Sequence, residues 1–188
     1  MNWANRLTIA RFFITLIFVA ALSSEWPFSR TVALALFIVA GITDYVDGEI
    51  ARRYSQVTNF GKLMDPLVDK IMMAAGFICL VPLHAMPAWV AVIIVSREFL
   101  ITGLRLLAGA RGKVLASEGM GKHKTTWQIV TILFFLLLLA IHEWHEAHVS
   151  WWQPMWHYGG TLLVTIAVTL TLFSGANYIW KHRAVLAE

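Results

Sequence analysis

Residues 43–70 read TDYVDGEIARRYSQVTNFGKLMDPLVDK. This stretch carries Asp44, Asp47, Asp65 and Asp69, four of the eleven acidic residues in a chain that is only 14% charged, and apolar runs flank it on both sides. Asp44 and Asp47 are three residues apart, so a helix sets them on one face with β-carbons roughly 5–6 Å apart. Gly48 and Ala51 continue that face with almost no side chain, leaving room for a ligand to approach the backbone. Asp65 and Asp69 are four apart and share a face at the start of a following helix. Pro66 fits a first helical turn, where its missing N–H costs nothing. A short connection containing Gly61 would then fold the two helices antiparallel and bring the two carboxylate faces together.

Working outward, the 188 residues are 59% hydrophobic with a mean hydropathy of +0.67. Too few polar residues remain to cover a water-soluble core, and the apolar residues come in long runs. The expected fold is therefore all-α: a polytopic membrane protein with six transmembrane helices in one bundle, forming a single domain over residues 1–188. At about 20 residues per crossing, the spans fall near 7–23, 31–52, 63–83, 88–109, 126–141 and 158–180. The first run resembles a cleaved secretory signal in its small terminal residues, but Arg11 lies well inside it and more spans follow, so it is read as a retained helix. Cys79 is the one cysteine; it excludes a disulfide within the chain and reads as a small buried hydrophobe.

Lysine and arginine placement orients the bundle. Arg6, Arg52, Arg53, Lys62, Arg111, Lys113, Lys122, Lys124, Lys181 and Arg183 lie on one side, whereas the three opposite connections carry only Arg30. Both termini and all four Asp are thereby placed at the cytoplasmic face. The net charge of +4 describes a basic rim suited to anionic lipids and phosphorylated substrates; nucleic-acid binding is not expected from such short loops. On the opposite side, HEWHEAHVSWWQPMWHY places His142, His145 and His148 three apart with Glu143 and Glu146 between them. This is not the zinc-protease spacing, and Trp151, Trp152, Trp156 and Tyr158 favour an interfacial aromatic belt over a metal site. GMGKHKT lacks the glycine spacing and the Ser/Thr of a phosphate loop and is set aside.

Four facing carboxylates repel one another and require protons or cations. An all-oxygen donor set suits Mg²⁺ or Mn²⁺, and four carboxylates suffice for two such ions, an arrangement that serves phosphoryl transfer. Arg52 offers a forked donor to a phosphate. Taken singly, each Asp reads more readily as a helix cap or a partner of Arg53, Lys62 or Lys70 than as part of a site; four together, in an apolar chain, read as a site.

The pattern Asp44-x-x-Asp47-Gly48-x-x-Ala51-Arg52, eight residues, then Gly61-x-x-x-Asp65-x-x-x-Asp69 resembles the complete signature of the CDP-alcohol phosphotransferase family, with every fixed position present. The six-span layout is similar as well. The resemblance implies a six-helix membrane bundle, commonly a homodimer, whose site opens at the cytoplasmic interface. It implies that Asp44, Asp47 and Asp65 hold two divalent cations, Mg²⁺ or Mn²⁺. Asp69 would be the catalytic base and also lie close to a metal, and Gly48, Ala51, Arg52 and Gly61 would line the CDP and diphosphate pocket.

Three further blocks, NRLTIAR (5–11), SREFLITGLR (96–105) and GKHKTTWQ (121–128), resemble the bacterial branch of that family whose acceptor is glycerol 3-phosphate and whose donor is CDP-diacylglycerol. That branch acts in the bacterial inner (plasma) membrane. Arg97 and Arg105, eight residues apart and so on one helix face, join Lys122 and Lys124 as candidates for the acceptor's phosphate; a structural ion pair of Arg97 with Glu98 or an Asp is the competing reading. Asn5, Thr8 and Arg11 share a face of the first helix and either support the nucleotide or pack. A cardiolipin synthase or a phosphatidylinositol-phosphate synthase of the same family would differ only in the acceptor pocket. A divalent-cation transporter would instead place its carboxylates near the bilayer midplane on discontinuous helices.

Overall fold

A computed structural model describes the backbone of residues 3–54, 59–110, 119–144 and 151–186, and the side chains of 6–44, 64, 66–109, 123–144 and 151–183. The described chain is helical, with no strand among the described residues. The helices are α1 (Trp3–Leu22), α2 (Ser29–Tyr54), α3 (Asn59–Leu80), α4 (Ala88–Ala110), α5 (Gly119–Trp144), the short α6 (Trp152–Pro154), a π-helical turn (Met155–Gly159) and α7 (Gly160–Leu186). Among the described residues, two stretches, His123–Trp144 and Trp152–Arg183, are long and apolar enough to cross a membrane. In α4 the ionisable residues Arg97, Glu98 and Arg105 interrupt the apolar run. That is where a membrane helix is expected to face a protein interior rather than lipid.

The direction of packing is legible in the contact pairs. Between α1 and α2, Phe18 meets Phe37 at 5.7 Å between ring centroids and Arg11 pairs with Asp44, so the two helices run antiparallel. Between α5 and α7, Gln128 donates to Thr171 at 3.0 Å and Phe135 lies against Gly160, again antiparallel. Along α4 and α7, Arg97 meets Ser174 and Arg105 meets Tyr178, so these two run parallel. Phe18, Phe37, Phe77, Leu80, Ile94, Ile132, Phe135 and Leu136 fill the core. Cys79 is partly rather than fully buried, and packs on the edge of that core.

Close helix approach depends on glycine at the α5–α7 contact. A β-carbon on Gly160 would stand 2.7 Å from Phe135, whose ring is also held by Trp156 at 5.0 Å between centroids. Gly160→Ala is therefore expected to destabilise by about 1–3 kcal/mol through overpacking, despite alanine's better helix propensity. The measurement is thermal unfolding in detergent, and an unchanged or raised midpoint would refute it.

Two local expectations are corrected. α3 starts at Asn59, so Gly61 lies inside the helix rather than in the connection, and Pro66 is an interior residue rather than part of the first turn. An interior proline lacks the N–H for one helical bond and crowds the preceding turn; the helix nevertheless continues to Leu80. The cue that misled is that proline most often marks a helix start.

At the end opposite the Asp-rich segment, Glu143 of α5 accepts hydrogen bonds from the backbone N–H groups of Arg30 (3.1 Å) and Thr31 (2.9 Å) and from Thr31 Oγ1 (2.7 Å). A carboxylate at a helix N-terminus satisfies otherwise orphaned donors and the helix dipole, so Glu143 pins α5 to the start of α2. Trp144 Nε1 donates to Thr31 Oγ1 at 2.9 Å. His142 stacks on Trp152 at 4.6 Å, Trp152 stacks on Trp156 at 5.1 Å, and Trp151 and Tyr158 are exposed. The side chains are arranged as an aromatic belt, with Glu143 committed to capping; His145, Glu146 and His148 lie outside the described residues.

Candidate active site

Charged residues of this bundle gather in one layer across the helices. Arg11 lies in the first half of α1, Asp44 in the last half of α2, Asp69 and Lys70 at the middle of α3, and Arg97 and Glu98 just before the middle of α4. Lys124 lies in the second turn of α5, and Ser174 and Tyr178 in the last half of α7. Because consecutive long helices alternate in direction, these positions fall near a common level.

Arg11 is 1% exposed and forms an ion pair with Asp44, whose side chain is 50% exposed. A guanidinium buried among helices requires a charge partner and further hydrogen bonds. Asp44 supplies the first. Thr8 and Thr15, one turn to either side of Arg11, are equally buried. Thr15 Oγ1 donates to the carbonyl of Arg11 at 2.9 Å. The expectation for Thr8 and Arg11 was a shared face with either a supporting or a packing role. The structure buries both and ties Arg11 directly to the first carboxylate of the motif. Asn5 lies outside the described side chains.

Asp69 is half-buried one helix away, and the charges of Asp44, Lys70, Arg11 and Glu98 all act on its carboxyl. Lys70 Nζ donates back to the carbonyl of Pro66 at 3.3 Å, so it lies along α3 beside the site. Thr8, Ile9 and Phe12 of α1 and Met64, Leu67, Val68 and Ile71 of α3 enclose an apolar cleft of about 180 Å³, on the residues that flank Arg11 and Asp69 in sequence. This part of the bundle thus offers carboxylates and an apolar cleft side by side.

Glu98 ties the second group of cations. Its Oε1 accepts from Arg97 Nη1 at 3.2 Å and from Lys124 Nζ, which is 2% exposed. Arg97 Nη2 reaches across to Ser174 Oγ at 3.1 Å. Arg105 faces α7 as well, donating through Nε to Tyr178 Oη at 3.3 Å with its guanidinium 5.2 Å from the ring centre. Arg97 and Arg105 do share the face that their spacing implies. Arg97 and Lys124 come together on one carboxylate, while Arg105 stands apart on Tyr178. The ion pair of Arg97 with Glu98, the competing reading of the sequence, is formed; sequence reasoning did not foresee Lys124 on the same carboxylate and missed Ser174 and Tyr178 entirely. Their hydroxyls carry no signal until α7 is docked on α4.

Asp47, Gly48, Ala51 and Arg52 lie on the helical backbone of α2 and Gly61 and Asp65 on that of α3, and Lys122 opens α5; their side chains lie outside the described residues. Positions 47 and 65 stand one turn from Asp44 and Asp69 on the same helices. Among the described residues no three histidine, cysteine or carboxylate groups come together as a metal set. Asp44 and Asp69 nonetheless act on each other electrostatically, and their donors are carboxylate oxygens only. That is the chemistry of a hard divalent ion held by α2 and α3, and the residues present fit it.

A family model described as CDP-alcohol phosphatidyltransferase matches residues 1–173. The chain is 37% identical to the CDP-diacylglycerol–glycerol-3-phosphate 3-phosphatidyltransferase of Bacillus subtilis (strain 168), over 96% of this chain and 95% of that protein. It is 36% identical to a probable phosphatidylglycerophosphate synthase of Mycobacterium tuberculosis (strain H37Rv), over 95% and 80% of the two chains. It is 33% identical to the CDP-diacylglycerol–glycerol-3-phosphate 3-phosphatidyltransferase of Escherichia coli (strain K12), over 100% and 98%. With its motif, its charge layer and a match over nearly the whole length, the chain belongs to the CDP-alcohol phosphatidyltransferase family.

Proposed function

We propose that this protein transfers the phosphatidyl group of CDP-diacylglycerol to glycerol 3-phosphate, giving phosphatidylglycerophosphate and CMP. The observation that carries this reading is the charge layer across the bundle. Carboxylates on α2 and α3 stand near the Arg97–Glu98–Lys124 cluster, so cation-loaded carboxylates for a diphosphate donor and cationic side chains for a phosphate-bearing acceptor would lie side by side. The relatives' names supply the two substrates.

In this reading Asp44, Asp47, Asp65 and Asp69 hold two divalent cations, Mg²⁺ or Mn²⁺. When bound, the ions neutralise charge on the diphosphate and on the departing CMP. Gly48, Ala51 and Gly61 leave room for the nucleotide and Arg52 holds the diphosphate. Asp69 takes the proton of the acceptor's primary hydroxyl. The oxygen attacks the phosphorus that carries diacylglycerol, and the bond from that phosphorus to the bridging oxygen breaks. CMP leaves with the bridging oxygen. Arg97, Arg105, Lys122 and Lys124 bind the acceptor's phosphate, and the apolar cleft between α1 and α3 suits part of an acyl chain.

The same reading makes residues 1–188 one membrane domain that crosses six times through α1 to α5 and α7, each of 20–27 residues and so long enough for a bilayer. Both termini and the site face the cytoplasm of a bacterial inner membrane, and the chain pairs as a homodimer.

The test is CMP release by purified protein in detergent with CDP-diacylglycerol and Mg²⁺ or Mn²⁺. Glycerol 3-phosphate, phosphatidylglycerol, inositol phosphate and serine are offered separately. Absence of release with glycerol 3-phosphate sinks the acceptor assignment. Arg105→Ala is expected to raise KM for glycerol 3-phosphate several-fold more than KM for CDP-diacylglycerol. Equal changes would leave Arg105 as a partner of Tyr178 alone.

A further inference from the structure

Arg97 is held from three sides. Nη1 is fixed by Glu98 Oε1 and Nη2 by Ser174 Oγ. The side-chain stem lies against Gly175, where a β-carbon would come within 3.1 Å of Cγ and 3.5 Å of Nε. Nε itself is buried and has no hydrogen-bond partner among the described residues. A buried guanidinium N–H without a partner is costly and rare, and marks a place where a polar group binds. The glycine admits the arginine stem at this close distance, so a side chain at position 175 would displace it. Ser174, 4% exposed, is in turn fixed by donating to the carbonyl of Thr171 at 3.2 Å.

Lys124 is locked to the same carboxylate oxygen as Arg97, so the two cations keep a fixed spacing set by Glu98. One carboxylate between two cations leaves the cluster with a net positive charge. That is the requirement for taking up an anion in a place with little water. Fixing the donors beforehand removes the side-chain ordering cost that a phosphate would otherwise meet on binding.

We propose that Glu98, Ser174 and Gly175 are positioning residues that set Arg97 and Lys124 as a preformed fork for the phosphate monoester of the acceptor alcohol, and so decide which alcohols are accepted. This rests on the functional reading above. It adds that acceptor recognition is built jointly by α4, α5 and α7, and that residues outside the signature motif carry it.

The experiment is steady-state kinetics of full-length protein in detergent, varying glycerol 3-phosphate and CDP-diacylglycerol separately, for wild type, Ser174→Ala, Gly175→Ala and Glu98→Gln. Thermal midpoints are recorded alongside. The expected result is a tenfold or greater rise in KM for glycerol 3-phosphate in each variant. KM for CDP-diacylglycerol should stay within twofold. Ser174→Ala removes one oxygen and serves if Glu98→Gln fails to fold. A parallel rise in both KM values, or a fall in thermal midpoint with both KM values unchanged, overturns the proposal. Wild-type protein that ignores glycerol 3-phosphate but uses another phosphorylated alcohol overturns the acceptor named above. The KM split measured on that alcohol then upholds the positioning role, and its absence overturns it. Turnover only with alcohols that bear no phosphate overturns both.

Discussion

Asp69→Asn is expected to lower CMP release by roughly 10²–10⁴-fold, the range that a positioned general base contributes, with the protein still folded. Asparagine keeps the size and shape of the side chain but cannot accept the acceptor's proton. Asp69 is half-buried and within the electrostatic field of Asp44, Arg11, Lys70 and Glu98. Asp69→Glu retains a base but extends it by one methylene, and is expected to recover part of the rate. The pair separates loss of the base from loss of shape. Wild-type turnover in Asp69→Asn would remove Asp69 from the proton path.

The four carboxylates were legible early because ionised residues in an apolar chain have few innocent explanations. Asp44, Asp47, Asp65 and Asp69 stand out from composition alone, and spacings of three and four put each pair on one helix face. What a single helix's periodicity does not contain is which neighbour that face meets. Arg11 and Asp44 are 33 residues apart in sequence, and only the antiparallel docking of α1 on α2 shows that they pair. Glu98 reads as a partner for Arg97 alone until α5 delivers Lys124 to the same oxygen. Ser174, Gly175 and Tyr178 are inconspicuous in an apolar helix, and their roles arise from the parallel contact of α7 with α4.

Glu143 shows the same limit at the far end. Its sequence neighbours are histidines, but its bonding partners are the backbone N–H groups that open α2. Pro66 was misread for a different reason. Local propensity places proline at helix starts, and here tertiary packing carries α3 through it.

Removal of divalent cations is expected to take CMP release to background, and Mg²⁺ or Mn²⁺ added back is expected to restore it. The motif concentrates four carboxylates on two helices, and in the described site Arg11 is the cation paired with Asp44. One guanidinium neutralises one carboxylate, so most of the motif's charge calls for a further positive partner. Oxygen donors select hard ions. An ion that binds only the folded protein also stabilises it, by about 2.7 kcal/mol at a hundredfold excess over its dissociation constant. The thermal midpoint is therefore expected to rise with Mg²⁺ in the absence of any substrate. Asp44→Asn and Asp65→Asn are expected to abolish that rise. Asp69→Asn, which removes the base from the edge of the metal set, is expected to retain part of it while losing turnover. A midpoint insensitive to Mg²⁺ and Mn²⁺, together with activity that survives chelation, would show that the four carboxylates hold the helix ends through protein cations and not through metal.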